Sequence, residues 1–171
     1  MATGSRRIVL GVDPGTAILG YGVVATTGET LEAVEYGALT TPAYLPLTSR
    51  LLMLFEGLTE IIGRVSPTEV AVEQLFFSRN VQSAFAVGQA RGVALLAAAR
   101  CGLPVSEYTP QQVKQAVAGY GKATKNQVQS MVQVMLALRD IPRPDDAADA
   151  LAIAICHSRW NETLGGGRVD L

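Results

Sequence analysis

Apolar positions run together or alternate from Arg7 to Thr40, and beyond Ser49 they shift largely to helical spacing, so the chain reads as strands first and mostly helices after. Arg7 to Asp13 (RIVLGVD) is a short apolar run that stops at Asp13-Pro14-Gly15-Thr16. There proline fixes one φ and glycine supplies the positive φ of a type II turn. Leu19 to Thr26 returns as a second strand and Leu31 to Thr40 alternates loosely as a third, which predicts an antiparallel meander. From Ser49 to Val65 the apolar residues Leu51, Leu52, Leu54, Phe55, Leu58, Ile61 and Ile62 follow a helical period, with Ser49 as the cap and Pro67 beyond the end. Glu69 to Glu73 is a strand reached through a helix, so it can lie parallel to the first. Asn80 to Cys101 reads as a long Ala-rich helix and Val105 to Tyr108 as a short strand. Gln111–Val117, Lys125–Leu138 and Asp146–Trp160 read as helices. The order predicts a single α/β domain over residues 1–171, without repeat or linker, with residues 1–5 and 163–171 as loose ends.

Within this layout carboxylates fall at special places. Asp13 ends the first strand, Glu73 ends the fourth, and Asp146 and Asp149 open the last helix. Three helical residues rise about 4.5 Å and stop about 60° short of a turn, so Asp146 and Asp149 share a face. If the first and fourth strands are neighbours, Asp13 and Glu73 stand side by side where open sheets place their sites. Four such acids repel and titrate upward unless a cation holds them. Oxygen ligands with spare positions suit Mg²⁺ or Mn²⁺. Two such ions about 3.5–4 Å apart can activate a water and stabilise the leaving oxygen of a phosphodiester. Plainer readings exist: Asp13 as a turn residue, Glu73 as a solvated strand end, Asp145 and Asp146 as caps on a helix dipole. Asp149 resists that treatment because the apolar run Ala150 to Cys156 follows it. Spacing alone leaves both readings open.

Composition sharpens this in two ways. The chain is 49% hydrophobic and 17% charged, which leaves few charges to cover a surface and points to a large core or an oligomer interface. A net charge of -1 argues against a uniformly basic nucleic-acid binder. Yet Arg79, Arg91, Arg100, Lys114, Lys122 and Lys125 face only one acid, Glu107, in their segment. Such a flank beside an acidic centre suits a phosphate backbone, and Gly119-Tyr120-Gly121 reads as a mobile loop carrying Lys122. Cys101 and Cys156 have no metal-ligand spacing and read as buried thiols of a reducing cytosol. With no apolar signal core and no run long enough to span a bilayer, a cytoplasmic protein is expected. His157 reads as structural or exposed, and Trp160 as packing at a helix end.

Taken together, Val12-Asp13-Pro14-Gly15-Thr16, Val72-Glu73-Gln74-Leu75-Phe76, Gly88-Gln89-Ala90-Arg91-Gly92, Val113-Lys114-Gln115 and Asp146-Ala147-Ala148-Asp149-Ala150-Leu151-Ala152 occur in an order that resembles the RuvC family of Holliday junction resolvases. The resemblance runs from about Arg7 to Trp160. It implies a ribonuclease H-like fold with a mixed five-stranded sheet flanked by helices. It implies a homodimer that cuts four-way DNA junctions by paired nicks, working with a branch-migration helicase. It carries metal binding and catalysis to Asp13, Glu73, Asp146 and Asp149, with two Mg²⁺ ions expected and Mn²⁺ as a substitute. The Asp-Ala-Ala-Asp spacing selects Asp146 over Asp145, which is left as the cap. Phe76 matches an aromatic that stacks in the open centre of the junction, and Lys114 and Lys125 match basic residues that meet DNA. With the basic flank, the DNA-contact set is Phe76, Arg79, Lys114, Lys122 and Lys125.

Other functions fit parts of the pattern. An ATP-hydrolysing protein of the actin and sugar-kinase type opens with a similar strand and turn, but needs a second domain to clamp its nucleotide. A related nuclease acting on RNA or on another branched DNA would use the same acids. A non-catalytic junction-binding module would have no need of all four.

Overall fold

In a computed structural model, which describes residues 5–75 and 81–163, the turn at Pro14 folds β1 (Arg7–Asp13) back onto β2 (Ile18–Thr27), and β3 (Thr30–Thr40) completes an antiparallel meander. Helix α1 (Leu47–Val65) carries the chain back so that β4 (Glu69–Glu73) pairs parallel to β1, and α2 (Val81–Arg100) does the same for β5 (Val105–Tyr108). The strand order is β3-β2-β1-β4-β5, a mixed five-stranded sheet. Helices α3 (Pro110–Ala118), α4 (Lys125–Met135) and α5 (Asp145–Thr163) follow.

The sheet is covered on both faces. Leu10, Val12, Val70 and Val72 pack against Leu54, Leu58 and Ile61 of α1 and the alanines of α2. Val9, Val24 and Ala71 pack on the other side against Leu151 to Cys156 of α5, which α3 and α4 cover in turn through Val113, Val117, Val128 and Val132. Almost every residue of α5 from Ala147 to Ser158 is buried, and the half-buried exception is Asp149. A helix apolar around its whole circumference must be enclosed, and α5 is sandwiched between the sheet and two helices.

Helix ends differ from their reading in the sequence. α1 begins at Leu47, and Pro46 occupies the cap position with its carbonyl accepting from Arg50 N, so Ser49 lies inside the helix. α4 stops at Met135, short of Leu138. Ala137 is left-handed, with φ of 50°, and the amides of Ala137 and Leu138 return to Val134 and Gln133. That is a Schellman closure, in which the apolar residue past the end still packs on the core. Such a residue mimics another helical turn in the sequence. Asp145 is likewise the first residue of α5 and not its cap, since Pro144 O accepts from Ala147 N.

Of the two thiols, Cys156 is buried and burial pushes it up to about 12, but Cys101 is exposed at the end of α2, contrary to expectation. His157 is buried and structural: Nε2 lies 2.7 Å from Glu69 Oε2 and Nδ1 lies 2.7 Å from the Tyr108 hydroxyl. Trp160 packs edge-on to Tyr108 at 6.0 Å. Among the described residues no helix is long and apolar enough to cross a membrane.

Candidate active site

The ends of β1 and β4 bring the first two acids together. Val12 pairs with Val72 in the parallel register, so Asp13 and Glu73 end adjacent strands one step further on. Ala71 belongs to the layer under α5, and strand alternation sends Glu73 to that same face. The N-terminal turn of α5 crosses this end of the sheet beside Gly20, the register partner of Asp13. Asp13, Glu73 and Asp149 line one cavity of about 260 Å³, together with Lys114 of α3 and Lys125 of α4. A second cavity of about 240 Å³ shares Asp13 and Glu73 and leads past Gln74 and Leu75 toward Ser83 and Val87 of α2. Asp146 lines neither cavity, but its charge acts on both Asp13 and Asp149.

Crowding of like charge dominates the electrostatics. Asp13 is pushed up to about 8 by burial, then by Glu73, Asp149 and Asp146, with Lys125 opposing. Glu73 is raised by burial and by Asp149, against Lys114 and Lys125. Burial also raises Asp149, although Lys125 Nζ bonds its Oδ2 at 3.0 Å. Among the described residues no group of three or more His, Cys, Asp or Glu side chains is drawn together closely enough to hold a metal ion by itself. The acids border an open cleft instead. Mg²⁺ is typically held by one or two carboxylates, several waters and substrate phosphates, so an open, all-oxygen, charge-frustrated cleft fits such an ion better than a cage would.

The basic flank is smaller than its count in the sequence. Arg91 is paired with Glu107, and Arg100 lies over the Phe55 ring at 5.8 Å. Lys125 turns into the site, 3.0 Å from Asp149 and 3.7 Å from Asp145, while Lys114 is half-buried in the cavity wall. Lys122 is exposed. Its loop, read as mobile, is tied on both sides: Gln115 Nε2 donates to Gly119 O at 2.7 Å, and the Tyr120 hydroxyl donates to Gln127 Oε1 at 2.6 Å. Phe76 and Arg79 lie outside the described residues.

One support for the site has no signature in the sequence. Thr41 Oγ1 donates to Thr16 O at 2.6 Å, its amide donates to Ala17 O at 3.0 Å, and Arg50 Nε donates to Thr41 Oγ1 at 2.8 Å. The turn that follows Asp13 is thereby braced against the start of α1.

The family model for crossover junction endodeoxyribonuclease RuvC matches residues 9–157, a span that includes all four acids. The chain belongs to the RuvC family. It is 57% identical over 159 residues to the RuvC endonuclease of Desulforamulus reducens, covering 93% of this chain and 98% of that protein. With the Heliobacterium modesticaldum RuvC it shares 62% identity over 149 residues, covering 87% and 92%. The fold matches T. thermophilus RuvC in complex with a Holliday junction substrate, with a TM-score of 0.86 and 40% identity over 91% of this chain and 94% of that one. The RuvC family is one of endodeoxyribonucleases with a ribonuclease H-like fold, and membership carries divalent-metal dependence with it.

Proposed function

We propose that this chain resolves four-way DNA junctions, nicking two strands symmetrically with the two copies of its site in a homodimer, and that Asp13, Glu73, Asp146 and Asp149 are its metal ligands and catalytic residues. The observation that carries this reading is the suppressed ionisation of Asp13, held at about 8 by burial and by three neighbouring acids in a member of the RuvC family. Acids that repel one another in this way are stabilised by a multivalent cation. Two Mg²⁺ ions, replaceable by Mn²⁺, would supply an activated water and charge stabilisation for the leaving oxygen.

The chain's own groups do the rest. Asp13 and Glu73 are fixed by the sheet, while Asp146 and Asp149 are fixed by α5. Lys125 orients Asp149 and, with Lys114, offers positive charge to the phosphate beside the cleft. Lys122 and Arg79 serve as phosphate contacts on the flank, and Phe76 stacks on a base at the junction centre, a contact typically worth about 1–3 kcal/mol. The dimer is supported by α2, where Val81, Phe85 and Leu96 expose 73%, 70% and 60% of their surface and Gly92 is open to close approach. The cytoplasm as location and a branch-migration helicase as partner are parts of the same proposal.

The test compares four-way, duplex and RNA substrates in Mg²⁺. Wild-type protein should cut the junction in paired nicks. Asp149→Asn should bind it normally and cut at least about 100-fold more slowly, as expected for loss of one electrostatic group at the transition state. Cleavage by Asp149→Asn at the wild-type rate would falsify the assignment.

A further inference from the structure

Where α5 comes closest to the sheet, three of the strand positions facing it are glycines. Gly11 and Gly22 are register partners on β1 and β2, and Gly20 is the partner of Asp13. A Cβ built on Gly20 would lie 2.0 Å from Asp146 O and 2.4 Å from Asp146 C. One on Gly11 would lie 2.1 Å from Ala150 O, and one on Gly22 would lie 2.7 Å from Leu151 N. Each of these obstacles is helix backbone, which cannot turn aside as a flexible side chain would. Even a weak C–H···O contact needs about 3.3–3.6 Å. A methyl at Gly20 therefore forces the first turn of α5 away from β2 by more than an ångström.

We propose that Gly20 is a positioning residue for the acidic site: by having no side chain, it sets the depth at which the first turn of α5 seats, and so the distance of Asp146 and Asp149 from Asp13 and Glu73. The inference rests on the proposed metal-dependent reading of that site. Geometry singles out Gly20 because it touches Asp146 itself, whereas Gly11 and Gly22 seat α5 further along, at Ala150 and Leu151. Asp13 and Glu73 stay with the sheet when α5 lifts, so the shift opens the gap between the two pairs of acids. A misplacement of about 1 Å can cost about 100-fold in rate. Crowded acids held apart also lose the advantage of a shared cation.

The experiment uses Gly20→Ala in the full chain. Mn²⁺ binding is followed by calorimetry without DNA, alongside circular dichroism, junction binding in EDTA and cleavage over an Mg²⁺ series. The variant should fold and bind the junction in EDTA as wild type does. It should bind Mn²⁺ at least about 10-fold more weakly and cut about 100-fold more slowly. Asp146→Glu, which adds one methylene of reach, should recover part of the Mn²⁺ affinity in the Gly20→Ala background, a rescue that a purely structural role would not produce. If Gly20→Ala does not fold, Gly22→Ala is the milder lift under the same helix and, acting further along it at Leu151, should show a smaller loss of Mn²⁺ affinity with the fold retained. A folded Gly20→Ala, or failing it a folded Gly22→Ala, with wild-type Mn²⁺ affinity overturns the positioning role. Wild-type protein that cuts no junction overturns the functional reading instead, whatever the glycine variants do.

Discussion

Glu69 and Glu73 stand at opposite ends of one five-residue strand and are treated in opposite ways. At Glu73 burial and then Asp149 raise the carboxyl. At Glu69 the hydrogen bond from His157, then that from Arg7 Nε at 2.6 Å, hold it at about 2 against the upward push of burial. A carboxylate only accepts, so His157 Nε2 carries a proton and donates to Glu69 Oε2, while Nδ1 lies 2.7 Å from the Tyr108 hydroxyl. The folded pKa of Glu69 lies below its ordinary 4.5, so the unfolded chain binds more protons in that window. Its contribution is full above about pH 4.5 and is lost as pH falls toward about 2. Glu69→Gln takes the carboxylate from buried His157 and half-buried Arg7 and should destabilise by about 3 kcal/mol at pH 7. It should also flatten the acid limb of a stability profile measured by urea unfolding between pH 5 and pH 2. An acid limb identical to wild type would remove Glu69 from the network.

The helices α3 and α4 are built alike, and each delivers one lysine to the cleft. Thr109 and Thr124 cap them, each accepting from the amide three residues on, while Gln112 and Gln127 return the bond to the cap amide. These reciprocal boxes are legible as Thr-x-x-Gln, and they fix the helix starts to within a residue. They leave Lys122 just ahead of α4 and Lys125 at its first position. The three lysines should therefore behave differently. Each phosphate contact contributes about -0.9 to the slope of log K against log salt on B-form DNA. Lys122→Ala should make that slope shallower by about one unit for every junction sequence and leave the rate at saturating DNA intact. Lys114→Ala should flatten it similarly and slow cleavage. Lys125→Ala should chiefly slow cleavage, because it releases Asp149. Affinities over a salt series in EDTA, with single-turnover rates in Mg²⁺, separate the three. A Lys122→Ala slope equal to wild type, with altered preference among cut sequences, would remove the phosphate role.

At the scale of the molecule, α5 is the central element. It spans the sheet from β2 toward β5, is covered by α3 and α4, and carries two of the four acids at its N-terminal end. α1 and α2 close the opposite face, and the outer side of α2 presents Phe85 and Leu96 to solvent. Large exposed apolar side chains along one helix mark an association surface. A charge placed there should split the proposed dimer without touching the cleft. If wild type is the proposed dimer, Leu96→Glu should sediment as a monomer at micromolar concentration and should turn paired nicks into single ones. Wild-type protein that is monomeric with and without junction DNA would rule out the dimer.

The sequence by itself determined the elements and where along them the acids stand. Strand and helix periods, the reversal after Asp13 and the placement of Asp13, Glu73, Asp146 and Asp149 are local properties, visible within a short window, although Gly15 lacks the positive φ of the type II turn expected there. Its errors were local too: a proline that began a helix before Ser49, and a Schellman closure in which Leu138 continued the apolar rhythm after the helix had ended. The tertiary structure alone decided which strands became neighbours, how closely α5 lies on Gly20, and which charges were consumed. Arg91 is spent on Glu107, Lys125 faces inward, and His157 meets Glu69 across 88 residues of chain. None of these follows from periodicity, because each is a contact between distant segments whose approach depends on the packing of everything between them. A charge in the sequence is a candidate for any partner, and only the fold selects one.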